Sequence, residues 1–184
     1  MRTAATPFSS QIQFDRIECI GARSGLVVVR PITPSDRSAF QAFVRSMSPE
    51  SRYARFQSSL YELSGATLDV LTSVDHVSHI ALVAHAAGDP ALIAEARYVA
   101  DEEGASAEIS IAVADACQRQ GLGTRLLAAL IDAAHRAGVA RLVGEVLRTN
   151  KAMRALAAKA DFVVRQHPEA RKVRITREID AGWG

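Results

Sequence analysis

Apolar residues along this chain occur in two kinds of segment. Some segments repeat apolar residues every three or four positions, which is typical of helices, and others are short β-branched runs, which are typical of strands. The first pattern predicts helices that begin near Thr33, Ser48, Ser64, Gly121 and Asn150. The second predicts strands over residues 26–30, 80–86, 92–100, 108–114, 141–147, 162–164 and 173–179.

The central strands are joined by short turns. Gly88-Asp89-Pro90 follows the strand at 80–86, and Glu102-Glu103-Gly104 precedes the strand at 108–114. Strands connected so closely form an antiparallel meander. Because the chain has no internal repeat and no linker-like stretch, we expect one mixed α/β domain of the α+β kind over residues 25–184. Residues 1–24 are expected to form an N-terminal arm, or an added edge strand within 12–20.

Composition and charge narrow the possible partners and compartment. Of 184 residues, 48% are hydrophobic, and 22 basic residues nearly balance 20 acidic ones to give a net charge of +2. This balance argues against nucleic acid as the partner. No apolar run approaches the roughly 20 residues of a membrane helix, and the N-terminus lacks a secretory signal pattern. We therefore expect a cytoplasmic protein that does not insert into membranes.

The cysteine and histidine spacings do not predict a metal site. Cys19 and Cys117 lack the spacing of a disulfide framework or a zinc site, which suits a reducing compartment. His76 and His79 lie three residues apart, but no third ligand is nearby, so we predict no metal. Cys117 is interpreted as a small buried residue, with an acyl-cysteine intermediate as a less favoured alternative.

A polar loop with two glycines separates the strand at 108–114 from the longest predicted helix. A strand, a glycine loop and a helix N-terminus together form an anion site, because the N–H groups at the helix tip point outward and the helix dipole favours negative charge. The loop lacks the Gly-Lys pair of a P-loop, and Leu126 stands where a dinucleotide-binding fingerprint needs its third glycine. On the glycines alone, a flexible entry to the helix is an equally good interpretation.

The surrounding sequence resembles motif A of the GNAT acyltransferase superfamily, [QR]-x-x-G-x-[GA]. Gln118, Gly121 and Gly123 occupy its three fixed positions, and the resemblance extends over residues 91–164. It implies the GNAT fold, a mixed and mostly antiparallel sheet that is splayed at the cofactor site and flanked by about four helices. It also implies acetyl-CoA as co-substrate. The implied contact residues are Ile111, Ala112, Val113, Gln118, Arg119, Gln120, Gly121, Leu122, Gly123, Thr124 and Asn150.

A second resemblance covers the front of the chain, over residues 26–84. The run Ser48-Pro49-Glu50-Ser51-Arg52-Tyr53, followed by Arg55-Phe56, is similar to the acetyltransferase domain of Pat-type protein lysine acetyltransferases. This resemblance implies transfer of an acetyl group to a protein lysine by direct attack in a ternary complex. A small amine or amino acid as the acceptor, and a non-catalytic acyl-CoA sensor, are the alternatives. A homodimer through the C-terminal hairpin is an expectation by analogy with the superfamily.

Glu108 is the predicted general base. A lysine amine has a pKa of ~10.4 and must lose its proton before it attacks a thioester. Glu108 lies in an apolar strand, where burial would raise the pKa of a carboxylate toward a useful range, and many GNAT members carry a glutamate at this position. Glu95 on the neighbouring strand is the alternative base. An exposed glutamate without a catalytic role is the other interpretation of Glu108.

Two positions after the glycine loop complete the comparison with GNAT proteins. Asn150 matches a position that often contacts the cofactor, although a plain helix N-cap explains it as well. Ala157 stands where many members carry a tyrosine that protonates the leaving thiolate. We therefore predict that this protein uses no tyrosine acid.

Overall fold

The computed structural model describes residues 17–21 and 25–179. Its strands are β1 Ile17–Gly21, β2 Gly25–Pro31, β3 His79–Ala86, β4 Leu92–Ala100, β5 Ser106–Val113, β6 Arg141–Leu147, β7 Val163–Gln166 and β8 Lys172–Glu178. They form one sheet in the order β1-β2-β3-β4-β5-β6-β8-β7. Neighbouring strands are antiparallel except β5 and β6, which are parallel. The predicted mixed, mostly antiparallel sheet is therefore confirmed.

Five α-helices flank the sheet in the part of the chain that the structure describes. This number agrees with the five predicted helix starts and is one more than the roughly four that the resemblance to GNAT proteins implied. They are α1 Arg37–Ser46, α2 Pro49–Phe56, α3 Gly65–Thr72, α4 Leu122–Arg136 and α5 Lys151–Lys159. Ser48, Ser64 and Asn150 cap α2, α3 and α5, each accepting a backbone N–H with its side-chain oxygen. Thr33 instead precedes a short 3₁₀ turn, Pro34–Asp36, and α1 begins after it.

The helices cover both faces of the sheet. The core between one face and α4 includes Leu82, Tyr98, Leu126, Leu130, Leu142 and Ile175. The core between the opposite face and helices α1 and α3 includes Ile32, Phe40, Phe43, Val44, Ala81 and Val83. Alternate residues of β3 therefore serve the two cores, which explains why its sequence is apolar throughout rather than alternating. None of the helices within residues 25–179 is long and apolar enough to cross a membrane.

The ends of the described chain form both edges of the sheet. β1 pairs with β2 through Ile17↔Val29 to Gly21↔Gly25, within the region where an added strand was expected. The remainder of the expected arm, residues 1–16 and 22–24, lies outside the described residues. At the other edge, β7 and β8 form the predicted C-terminal hairpin, with β8 next to β6.

The feature of the fold that matters most for the site is the short pairing between β5 and β6. They pair from Ser106↔Arg141 to Glu108↔Val143 and then diverge, whereas β5 continues to pair with β4 as far as Val113. A gap therefore opens between the second half of β5 and β6. This is the splay that the resemblance to GNAT proteins implied.

Candidate active site

The backbone of β5 presents polar groups to the gap. The Ala105 carbonyl accepts the Arg141 N–H at 3.1 Å on the β6 side, and the Ala114 N–H donates to the Ile93 carbonyl at 2.8 Å on the β4 side. Because successive residues of a strand direct their backbone groups to opposite sides, the odd-numbered residues face β6. The N–H groups of Ile111 and Val113 therefore face the gap, beyond the last β5–β6 pair.

Ala112 differs from its two neighbours. By the same alternation its backbone faces β4, where it pairs with Glu95. Its side chain is buried in the core formed with α1 and α3. Of the three β5 residues predicted as contacts, Ile111 and Val113 are brought to the gap, and Ala112 is directed away from it.

The N-terminus of α4 lies at the end of the gap. The first hydrogen bond of this helix runs from the Arg125 N–H to the Gly121 carbonyl, at 3.2 Å. The N–H groups of Leu122, Gly123 and Thr124 consequently have no acceptor within the helix. A Cβ built on Gly123 would lie 3.9 Å from Val113 Cγ2 on β5 and 3.5 Å from Leu156 Cδ2 on α5, which locates the helix tip between these two elements.

The loop before α4 is held by side-chain hydrogen bonds. Gln118 Nε2 donates to the Val113 carbonyl at 3.1 Å, so this side chain fixes the loop against the end of β5. Asp115 accepts the backbone N–H and the hydroxyl of Ser48 at 2.8 and 2.9 Å, and the hydroxyl of Ser51 at 2.6 Å. These bonds tie the loop to the N-terminus of α2. The helix tip is therefore held in place from two sides.

The two glycines of the motif have different structural roles. Gly121 has φ = +86°, a left-handed conformation that disfavours any residue with a Cβ. Gly123 lies in the first turn of α4, where a Cβ would make ordinary van der Waals contacts. Only Gly121 is required by the backbone conformation of the loop.

A cleft of about 250 Å³ lies on the sheet face that carries α2, next to the gap. Glu108 and Asn150, both predicted from the sequence, line this cleft together. Glu108 is exposed, and its carboxylate makes no hydrogen bond or ion pair with any residue of 17–21 or 25–179. Asn150 Oδ1 accepts the Met153 N–H at 3.0 Å, so Asn150 caps α5 and lines the cleft at once.

Glu95, the alternative base, is committed to ion pairs. It is fully buried, and its carboxylate accepts Arg55 Nε and Nη2 at 3.0 and 3.2 Å and also Arg97 Nε. Burial alone would raise the pKa of Glu95, but the charges of Arg55 and Arg97 lower it to about 2. A carboxylate with this pKa has little tendency to take a proton at neutral pH, which argues against Glu95 as the base.

Arg97 continues this network to His79. Arg97 Nη1 lies 3.1 Å from the Leu71 carbonyl and 3.0 Å from His79 Nε2, which serves as an acceptor in the neutral ring. Burial and the charge of Arg97 lower the pKa of His79 to about 4. The lone pair that a metal would need is thus directed at Arg97. Within residues 17–21 and 25–179, no group of three or more His, Cys, Asp or Glu side chains is arranged to hold a metal ion.

Glu145 is the third carboxylate near the gap, and it is also paired. Its oxygens accept His167 Nε2 at 2.9 Å and Lys172 Nζ at 3.2 Å, and these bonds lower the pKa of Glu145. Among Glu95, Glu108 and Glu145, only Glu108 is therefore unpaired within the described residues. This difference favours Glu108 as the residue that can take a proton from a bound ligand.

Sequence reasoning missed the two cleft arginines as site residues. The signal was available for Arg97, because Glu95 and Arg97 lie two apart in an otherwise apolar strand, and such residues share one face. Arg55 was noted only as part of a resemblance, and its ion pair joins residues 40 positions apart. The expected tyrosine position, Ala157, is fully buried and offers no acidic proton.

A splayed sheet with a helix tip at the end of the splay defines the class of acyl-CoA-dependent N-acyltransferases. Residues 41–162 match the Acetyltransferase (GNAT) family, and the chain belongs to this family.

Three relatives support this membership. The chain is 33% identical over 145 residues to an acetyltransferase of Pseudomonas aeruginosa, and the aligned region covers 78% of each protein. It is 35% identical over 129 residues to the acetyltransferase Pat of Mycolicibacterium smegmatis, and the aligned region covers 70% of this chain but only 38% of that protein. Its fold is similar to that of the GNAT domain of S. lividans PAT, with a TM-score of 0.81 and 28% identity, covering 89% of this chain and 96% of that domain.

The state of His79 predicts how stability depends on pH. Its pKa is about 4 in the folded protein and ~6.5 when unfolded, so folding favours the neutral ring. The stabilisation is complete above pH ~6.5 and is lost as the pH falls toward about 4. His79→Gln keeps an acceptor for Arg97 but cannot titrate. Urea unfolding between pH 7 and pH 5 should show a smaller loss of unfolding free energy in the variant than in the wild type, and equal losses would contradict this assignment.

Proposed function

We propose that this protein transfers an acetyl group from acetyl-CoA to a primary amine, and that the acceptor is a lysine side chain of another protein. The observation that carries the proposal is the gap between β5 and β6, lined by backbone N–H groups and ending at the tip of α4. Beside it lies a cleft with one unpaired carboxylate. Acetyl-CoA would supply an activated thioester at the junction of gap and cleft.

The cofactor would be held mainly by backbone groups. The diphosphate would accept the N–H groups of Leu122, Gly123 and Thr124, where the dipole of α4 also favours negative charge. Arg119, exposed in the loop, and Arg125, exposed on the first turn of α4, add positive charge near this position. Further along the gap, the N–H groups of Ile111 and Val113 would pair with the amide groups of the pantetheine arm.

The chemistry requires a proton acceptor before the nitrogen can attack. Glu108 would take a proton from the ammonium group of the acceptor, directly or through one water, and the freed nitrogen would attack the thioester carbonyl carbon. The negative charge that develops on the carbonyl oxygen would be stabilised by a backbone N–H near Ile111. The C–S bond then breaks and the thiolate leaves, and the attacking nitrogen, which carries two hydrogens and a positive charge after attack, loses its second proton to solvent. Because Ala157 is apolar and buried, the thiolate would take its proton from solvent.

Two observations favour a protein lysine as the acceptor. Glu108 is exposed at the cleft, so a long and flexible side chain can reach it from solvent. The chain also resembles the M. smegmatis Pat and the GNAT domain of S. lividans PAT over most of its length. A small amine or amino acid is the second candidate, because the cleft also carries arginine side chains that suit a carboxylate.

The role of Glu108 is tested by Glu108→Gln, which keeps the shape of the side chain but removes the basic carboxylate. We expect kcat to fall roughly 100-fold, with little change in the affinity for acetyl-CoA. Thiol release measures turnover, and calorimetry measures binding. Glu103→Gln, in an exposed turn, is the matched control and should behave as the wild type.

A kcat within about twofold of the wild type would remove Glu108 as the base. If the wild type binds acetyl-CoA but acetylates no amine or protein, the non-catalytic sensor becomes the better description.

The anion site at α4 is tested by a pair of glycine variants. Gly121→Ala strains the left-handed residue that precedes the helix, and we expect the dissociation constant for CoA to rise about tenfold. Gly123→Ala retains its N–H and adds only ordinary contacts, so its affinity should stay within about twofold of the wild type. Equal affinities for the two variants, measured by calorimetry, would show that the loop conformation does not govern CoA binding.

A further inference from the structure

The cleft is lined by side chains of opposite charge, an unpaired carboxylate and two arginines. Glu108 lies on β5, Arg97 lies on the neighbouring strand β4 two residues before Val99, the partner of Glu108, and Arg55 lies on α2. The nearby Glu145 is compensated by His167 and Lys172, so Glu108 supplies the negative end of the cleft. A ligand that bears both an amine and an anionic group would match this arrangement.

The arginine side of the cleft keeps an uncompensated positive charge. Glu95 is the carboxylate that pairs with both Arg55 and Arg97, so the three side chains together carry a charge of +1. Arg55 uses Nε and Nη2 for Glu95, and its Nη1 has no partner among the described residues. Arg97 Nη2 is buried and also lacks a partner there. Buried N–H groups are normally satisfied, so the unpaired Arg97 Nη2 is a donor for which the described residues supply no acceptor.

The two guanidinium groups are held rigidly. Arg55 lies 4.7 Å from the centre of the Phe56 ring, and Arg97 lies 5.7 Å from that of Phe40. Arg97 also donates to Leu71 and His79. Only 11% of the Arg55 side chain and 4% of the Arg97 side chain are exposed. Because little conformational freedom remains to be lost, an anion that binds here meets a preorganised site.

We propose that Arg55, with Arg97 behind it, is a specificity subsite that binds a carboxylate of the acceptor while the acceptor amine lies at Glu108. This inference rests on the proposed function and names the acceptor class more closely. The carboxylate belongs either to an acidic residue beside the target lysine of a protein or to a small amino acid. Both sources present the same group to the guanidinium, which binds carboxylates through paired N–H donors.

The wild-type protein tests this without any substitution. One set of lysine peptides carries a single Glu, placed in turn at each of the two positions before and the two positions after the lysine. A matched set carries Gln at the same positions. A second pair is Nα-acetyl-lysine and Nα-acetyl-lysinamide, which differ in one carboxylate. If the acceptor is a protein, we expect kcat/KM to be about tenfold higher for the Glu peptides than for the Gln peptides. If it is a small amino acid, we expect the same ratio for Nα-acetyl-lysine over Nα-acetyl-lysinamide. Added salt should reduce this ratio.

Variants at Arg55 link the preference to the subsite. Arg55→Gln should reduce the ratio of kcat/KM for acidic over neutral acceptors to about one. Arg55→Lys keeps the positive charge but loses the paired N–H donors of the guanidinium, so it should retain part of this ratio. Arg45→Gln, an exposed arginine of α1 paired with Glu62, is the matched control and should keep the wild-type ratio. Since Arg55→Gln leaves Glu95 with one partner, its folding is checked by circular dichroism.

The outcomes separate the subsite from the proposed function. A preference in the peptide pair supports the subsite with a protein acceptor, and a preference confined to Nα-acetyl-lysine supports it with a small amino acid. Acetylation of acidic and neutral acceptors at equal kcat/KM overturns the subsite and leaves the acetyltransferase intact. A preference that survives in Arg55→Gln also overturns the subsite. If no amine is acetylated, the proposed function itself fails.

Discussion

The structure depends on the limited pairing between β5 and β6, which extends over three residues of each strand and then ends. Backbone N–H groups that are shielded from water need hydrogen-bond acceptors. An interrupted ladder of hydrogen bonds between strands therefore costs free energy unless another group accepts these N–H groups. Gly144 of β6 belongs to this arrangement, because a Cβ there would lie 3.2 to 3.3 Å from Ile175 and Ile109. The strands are therefore tightly packed beside the opening, and the N–H groups of Ile111 and Val113 face the gap.

The charges of the cleft form a second constraint on the same face of the sheet. Burying Glu95 would be costly without its two arginines, and burying two arginines would be costly without Glu95. The network links α2 to β4, and through His79 to β3, so the wall of the cleft is rigid. Glu108 lies outside this network. The carboxylate of Glu95 is thus held in ion pairs and that of Glu108 is unpaired among the described residues, although both lie on strands of similar apolar sequence.

Local signals in the sequence were sufficient for most of the fold and for the position of the glycine loop before α4. The serine and asparagine caps fixed three helix starts, and the glycine loop marked the tip of α4. The sequence could not show which way each backbone group of β5 points, because that depends on where the pairing with β6 ends. Ala112 was for this reason grouped with Ile111 and Val113. Glu95 could not be separated from Glu108 either, since its arginine partners come from a distant helix and from its own strand.

The central claim is that main-chain N–H groups of β5 and of the α4 tip bind the cofactor. Amide hydrogen exchange, followed by NMR with and without saturating CoA, tests it at single residues. The account predicts slower exchange at Ile111 and Val113 in the gap and at Leu122, Gly123 and Thr124 in the helix tip, with little change at Ala112, which already pairs with β4. Unchanged exchange at all five positions in the presence of bound CoA would contradict it.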